Sequence, residues 1–370
     1  MGFRHDLRVV RAVAQKDIQS SLTERSFTVL SIVLPINFLL LFLLFAITGG
    51  LAPIAVVMED RGPYAVQFVS SLENAHSFIV QQTTANEAQK LVSEGRIVAI
   101  VTVPASFDTD VREGHVVQLP VVINNLDVDF TNDIRRAVPL AITEFYAHAF
   151  PDRVVVQAQE IDVQPHDTGY IPYLAVSIVV VGLMVGGLLQ AGTNTAREYE
   201  MATIKELLLS PASRWAIEVG KALGAFVVNT IATGLVLAVI IVGLGVRPLH
   251  WLELIGFSLL LMVAFVGLGA LVGTLVRRRQ AVIALSLGLS LPIFFVSGPF
   301  GPAVWGTPVG RFLAEISPVY YAIAVFQEAF HGFRTTPTSL ATNVIILVAF
   351  TLMTIVLSAV ALQRRGANAS

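Results

Sequence analysis

Apolar positions in this chain do not alternate with polar ones; they run together. Six stretches contain no Asp, Glu, Lys or Arg, at 26–58, 168–196, 222–246, 254–276, 280–310 and 335–363. Their apolar cores fall at about 27–47, 171–191, 222–244, 254–276, 281–297 and 341–362. A helix needs ~20 residues to cross a hydrocarbon core of about 30 Å, so the pattern predicts six transmembrane helices. The first apolar run is longer than the roughly 7–15 residues of a secretory signal, and no clear small-x-small cleavage site follows it. It reads as a retained first span over 26–48.

Three other segments break the pattern. Residues 1–25 predict an amphipathic helix at the cytoplasmic interface, with Arg4, Arg8 and Arg11 on one face and Leu7, Val10, Ala14 and Ile18 on the opposite one. The same basic residues also serve as a flank that orients the first span. Residues 49–168 switch to short β-branched runs, at 54–58, 77–80, 97–103 and 116–123, among helix-like stretches at 85–95 and 132–150, where Pro139 is a candidate kink. This predicts a small α/β domain with its own core. Residues 298–333 are rich in Pro and Gly yet stay apolar and aromatic, which forbids one continuous helix. They read either as re-entrant helices lining an exit path, with Trp305, Glu315, Pro318 and Tyr321 as its candidate residues, or as an interfacial cap.

Composition fixes the class. The chain is 55% hydrophobic and 14% charged with a mean hydropathy of +0.73, against about 25% charged for a soluble domain. It has no cysteine, which excludes disulfides, thiolate metal sites and a catalytic thiol. Charge placement then orients it. Fourteen of the Lys and Arg residues fall on one side if the spans alternate, against Arg247, Arg311 and Arg334 in the short loops opposite. By the positive-inside rule both termini are cytoplasmic and residues about 50–168 are extracytoplasmic. That outer segment carries seven basic and sixteen acidic residues, without the carboxylate spacing of a calcium loop. The predicted fold is thus a polytopic α-helical membrane protein of six transmembrane helices. A small α/β extracytoplasmic domain lies between spans 1 and 2, and a re-entrant helical segment between spans 5 and 6.

One charged interruption stands out, "AREYEMATIKELLLSPASR" at 196–214. Thr195 and Glu198 have capping-box spacing, and Met201, Ile204 and Leu208 form an apolar stripe. Ser210-Pro211 would stop one helix and start the next. The expected product is a bent helix pair on the cytoplasmic face. It suits docking into a partner's groove, and it also suits an ordinary amphipathic connector.

The stretch "REYEMATIKELLLSPASRWAIEVGKALGAF" resembles the signature of the ABC-2 type permease family, the membrane subunits of ATP-binding-cassette exporters. The matching positions are Arg197, Glu198, Glu200, Thr203, Leu207, Leu208, Ser210, Pro211, Arg214, Gly220 and Lys221. Ala202 stands where that family usually has Gly, and Gln327 where it often has Arg. Pro318, Tyr321 and Ala322 are similar to a late Pro-x-x-Tyr-Ala element. "IAVVMEDRGPYA" and "AIVTVPASF" resemble a subgroup with a large outer domain after the first span. The resemblance implies that residues 194–216 couple to a cytoplasmic ATPase subunit, with Lys205 and Glu206 among the contacts. It implies ATP and Mg²⁺ used by that partner, and a second permease copy, identical or paralogous. Membrane lipid and a periplasmic or envelope adaptor are further candidate partners, and nucleic acid is not one.

No phosphate loop occurs: Gly220-Lys221 is followed by Ala222 and has Trp215 where the first Gly belongs. None of the six apolar cores holds an ionisable group of the kind that marks ion coupling. Asn37, Gln190, Asn229, Thr230, Ser286 and Ser290 read as helix–helix hydrogen bonds or as cargo contacts. Gly182/Gly186 and Gly269/Gly273 are close-packing pairs. The chain is therefore expected to bind no cofactor and to be a transport subunit, not an enzyme, moving an amphipathic, drug-like or lipid-like cargo outward through the prokaryotic plasma membrane. A non-transporting envelope scaffold and an ion-coupled transporter are the alternatives.

Overall fold

The charged amino-terminal run and the first apolar run form consecutive helices, α1 (Phe3–Thr23) and α2 (Arg25–Thr48). They belong to a computed structural model that describes residues 3–23, 25–48, 51–124, 128–153, 169–203, 213–303 and 306–367. Two compact units divide the chain: Ala46–Asp162, and Met1–Phe45 with Val163–Ser370.

In the first of these units the β-branched runs pair. Strands β1 (Ala52–Met58), β2 (Phe78–Gln82), β3 (Ala99–Val103) and β4 (Val121–Ile123) form one sheet in the order β2-β1-β3-β4, parallel except for β3–β4. Helices α3 (Pro63–Asn74), α4 (Ala85–Ser93), α5 (Phe107–Glu113) and α6 (Val128–Ala149) complete it. Phe68, Phe107 and Phe145, from α3, α5 and α6, fill one face of the sheet, while Leu91 of α4 packs on the other. The strand expected over 116–123 shrinks to its last three residues, because Pro120 just before them offers no N–H to a ladder. Helix α6 runs through Pro139 without a break. At the ends of β1 and β3 two carboxylates tie the loops together. Asp60 accepts from the backbone N–H of Asp108 (2.8 Å) and Gly62 (2.9 Å), and Asp108 accepts from Tyr64 N–H (2.6 Å). The amides of Asp108 and Gly62 hold the Asp60 carboxyl below its usual range.

Beyond that unit come α7 (Tyr170–Glu200), α8 (Arg214–Ala238), which continues as a π turn over Val239–Gly243, α9 (Trp251–Val276) and α10 (Arg279–Val296). The short α11 (Pro308–Ile316) and α12 (Pro318–His331) meet at a bend of 88°, and α13 (Leu340–Ala367) ends the set. Five helices among the described residues are long and apolar enough to cross a membrane (α7, α8 with its π turn, α9, α10 and α13), or six if the bent pair is one span. The chain is a polytopic helical membrane protein.

Helix α7 is the axle of this bundle. Its most apolar window is wholly buried inside the chain, whereas α10 and α13 turn most of theirs outward. Glycine makes the close approach possible. A methyl group on Gly269 of α9 would lie 2.7 Å from the carbonyl of Gly187 and 2.9 Å from that of Leu188. One on Gly187 would lie 2.8 Å from the Phe265 Cβ. Helices without a hydrophobic drive between them associate through just such backbone proximity. Gly186 instead makes room for Asn229, whose amide donates to the Leu183 carbonyl at 3.2 Å.

Helix α1 buries Asp6, Val13, Asp17 and Ser21 and leaves Leu7 56% exposed. Its buried face meets α8 where Gly220 and Gly224 allow it: methyl groups there would fall 2.8 Å from the Val10 carbonyl oxygen and from the Asp17 Cβ. One expectation changes here: Thr195 and Glu198 do not form a capping box, since α7 is continuous through both. With no Gly or Pro between Gln190 and Glu200 except Gly192, nothing stops the helix until Ala202, which takes the left-handed conformation (φ 57°) at its end. An alanine there costs about 1 kcal/mol relative to glycine.

The helix crossing yields a matched test. Gly269→Ala should lower the stability of the purified protein by about 1–3 kcal/mol, because backbones must part. Gly256→Ala on the same helix, where a methyl group meets nothing within 4 Å, should be neutral or stabilising. Thermal unfolding in detergent compares the two; equal melting shifts would contradict the close-packing account.

Candidate functional site

The motif residues fall at the end of α7 that α1 and α8 embrace. Helical spacing turns Glu198 inward, and its side chain is only 4% exposed. Such a carboxylate needs partners. It finds two: Lys16 Nζ of α1 donates to Oε1 at 2.8 Å, and Lys221 Nζ of α8 donates to Oε2. The Lys221 side chain is 12% exposed, so this second ion pair is nearly dry, while Lys16 keeps half of its surface in solvent.

Neighbouring positions carry the same junction outward. Arg197 donates to Ser20 Oγ, and Asn194 donates to Ser21 Oγ at 3.3 Å, so one face of α7 reads along α1. Gln190 donates to Ser31 of α2 at 3.2 Å. Ser213, at the start of α8, donates to Asp6 at 2.9 Å. On the far side Glu200 accepts from the Arg279 backbone N–H (2.9 Å) and Nε (3.1 Å), tying α7 to the first turn of α10. The Arg277 guanidinium stands 5.3 Å over the Tyr199 ring. Thr203 donates to the Glu198 carbonyl at 3.5 Å.

Among the sequence candidates, Arg197, Glu198, Glu200 and Thr203 thus gather at one junction, with Glu198 directed into the bundle. Lys205, Glu206, Leu207, Leu208, Ser210 and Pro211 lie outside the described residues, as do Trp305 and the side chain of Arg214. The 298–333 candidates sit elsewhere in the bundle. Ser317 caps α12 by accepting from Val319 N–H at 3.2 Å, Pro318 opens that helix, and the Tyr321 hydroxyl donates to the Glu315 carbonyl at 2.9 Å. Gln327 is fully buried and donates to the Tyr173 carbonyl at 2.8 Å and to Ser177 Oγ at 3.2 Å. It joins α12 to α7.

Sequence reasoning missed Lys16, Asp17, Ser20 and Arg279. Nothing along the chain pairs positions 16 and 198; only Gly220-x-x-x-Gly224 signals a close neighbour for α8 there. Asp17 is the anomaly. It is 4% exposed, its Oδ2 has no hydrogen-bond partner among the described residues, and Lys16 reaches its Oδ1 only at 3.9 Å. Burial pushes its carboxyl up from 3.8 to about 6, against the pull of Lys221.

Two outcomes follow from this electrostatics. Glu198→Ala leaves Lys221 buried without its counter-charge and should cost about 3–5 kcal/mol. Amide exchange in Phe3–Thr23 should accelerate with it, whereas unchanged exchange would mean that α1 is held by other contacts. Asp17 acts with the opposite sign. Its folded carboxyl keeps a proton between pH ~4 and ~6 that the unfolded chain has released, so stability falls as pH rises through that window. Asp17→Asn should therefore stabilise by up to ~3 kcal/mol at pH ~8 and by little near pH ~4. Melting curves that stay parallel across this range would refute it.

The family model described as "ABC-2 family transporter protein" matches residues 25–360. The probable multidrug ABC transporter permease YbhR of Escherichia coli K12 is 21% identical over 324 residues, covering 83% of this chain and 88% of its own. YbhS of the same strain, also a probable multidrug ABC transporter permease, is 23% identical over 374 residues, or 97% of each chain. The inner membrane transport permease YhhJ of that strain is 22% identical over 306 residues, covering 77% and 81%. With a match that extends over most of its length, this chain belongs to the ABC-2 family of transporter proteins.

Proposed function

We propose that this chain is the membrane subunit of an ATP-driven exporter. Helices α2, α7, α8, α9, α10 and α13 are its six spans, both termini are cytoplasmic, residues about 50–168 lie outside, and α11–α12 re-enter from the outer side. The charge segregation of the sequence supports that orientation. Two permease copies work with two ATPase subunits, which bind and hydrolyse ATP with Mg²⁺; the missing phosphate loop is the reason this chain needs them. Cargo moves from the cytoplasm or the inner leaflet to the outer side, and the apolar interior favours an amphipathic molecule.

The observation that carries this reading is the junction at the end of α7. The segment 204–212 follows directly from that helix, so force applied there by an ATPase reaches the axle of the bundle. It reaches α10 through Glu200–Arg279, and α1 and α8 through the two lysines on Glu198. Glu198 is then a positioning residue, and the contact surface falls to 204–214. A rigid-body shift between two states of the spans completes the cycle.

The test is the paired complex. Glu206→Ala with Arg214→Ala, made in this chain and co-expressed with its ATPase, should reduce complex recovery or coupled ATP hydrolysis about tenfold or more. If both the complex and its hydrolysis match those of the unsubstituted chain, the coupling assignment fails.

A further inference from the structure

A cleft of about 370 Å³ opens beside the junction, between α1, α7, α8, α9 and α13. Its walls are apolar: Leu223 and Phe226 of α8, Val263 and Val266 of α9, Ile355 and Leu362 of α13. Leu223, Val263 and Ile355 are between 37% and 43% exposed, so the apolar end is accessible from the bundle's outer surface. The charged residues of the lining, Asp17, Glu218 and Lys221, mark its other end.

Positive charge stands near that end but is engaged elsewhere. Lys221 donates to Glu198, which it shares with Lys16, and Lys16 stays 3.9 Å from Asp17 Oδ1, beyond hydrogen-bond reach. Asp17 contributes a carboxylate oxygen that is buried and takes no hydrogen bond among the described residues, on a side chain more than nine-tenths buried. An acceptor of this kind is costly to bury unless a donor arrives. Glu218, one turn before Ala222 on α8, adds a second carboxylate. What Asp17 Oδ2 lacks is a donor at hydrogen-bond distance, and a charged N–H on an apolar body that fits between α8, α9 and α13 would supply it. The volume lies at the lower end of the usual range for small-ligand pockets.

We propose that this cleft is a binding site for an apolar-tailed primary ammonium, with its head on Asp17 and Glu218 and its tail along Phe226, Val266 and Ile355. A charge-assisted bond to the Asp17 carboxylate supplies the missing donor. The same chemistry belongs to two sources, a soluble amphipathic amine and the amine headgroup of a membrane lipid. The inference rests on the exporter reading for its biological sense, since a site at this level would collect cargo from the inner leaflet. The site itself stands on the geometry of this one chain.

The experiment uses the full chain in nanodiscs of phosphatidylcholine, without an ATPase, and radiolabelled decylammonium against decanol at neutral pH. Decylammonium should bind at least about tenfold more tightly than the alcohol. Asp17→Asn should bring it down to the level of decanol without changing decanol binding, and Glu218→Gln should weaken it about threefold. Because Asp17→Asn is expected to raise stability, a loss of binding by that variant is not a loss of fold, and its melting curve verifies this. Equal binding of amine and alcohol, or an Asp17→Asn variant that keeps the preference, overturns the site. Adding phosphatidylethanolamine separates the sources: suppressed decylammonium binding identifies the lipid amine as occupant, and unaltered binding identifies a soluble one. If the site fails while ATP hydrolysis still depends on 204–214, the exporter reading stands alone; if binding holds while coupling fails, the converse is true.

Discussion

The Glu198 carboxylate answers two ammonium groups at once, and the junction of α1, α7 and α8 is organised around that fact. Lys16 comes from α1, Lys221 from α8, and the acid from α7, so one side chain joins three helices. A carboxylate with 4% exposure has no inexpensive alternative to these partners. Removing Glu198 or Lys221 leaves its partner's charge in a place where water cannot reach it well. The arrangement specifies how α1 lies as much as it stabilises it, because only one register of α1 puts Lys16 opposite Glu198 while Val10 and Asp17 face Gly220 and Gly224.

The axle that carries this carboxylate is held by different physics. Within the apolar layers α7 has little hydrophobic reason to prefer its neighbours to lipid, so its contacts come from backbone proximity at Gly187, Gly192, Gly269 and Gly273, and from buried amides. Gln190, Asn229 and Gln327 each join α7 to a different element, α2, α8 and α12. Helix α7 is thereby anchored from Tyr173 near one end to Glu200 at the other.

Much of this was legible beforehand, and the reasons are specific. Uncharged runs announce long helices because the bilayer leaves backbone groups no other partner, and α7, α8, α9, α10 and α13 lie where those runs are. Strands β1, β2 and β3 lie on the β-branched runs for a similarly local reason. Helices α3 and α5, which cover one sheet face, carry weaker patterns and were not anticipated. The error came where a local rule met a tertiary partner. Thr195 and Glu198 have the spacing of a capping box, but the bundle keeps the helix going and the lysines claim the acid. Asp17 gave no signal at all, since a lone Asp on an amphipathic helix looks solvated until its neighbour is known.

The central claim is that Glu198 and Lys221 act as a pair across α7 and α8. A double-mutant cycle of Glu198→Ala and Lys221→Ala, read by chemical or thermal unfolding of the purified chain, tests it most directly. Each single substitution should destabilise strongly, and the double should cost less than their sum by at least about 2 kcal/mol, because losing both charges leaves neither stranded. Strictly additive effects would contradict the account, and the junction at the end of α7 would have to be explained without its ion pair.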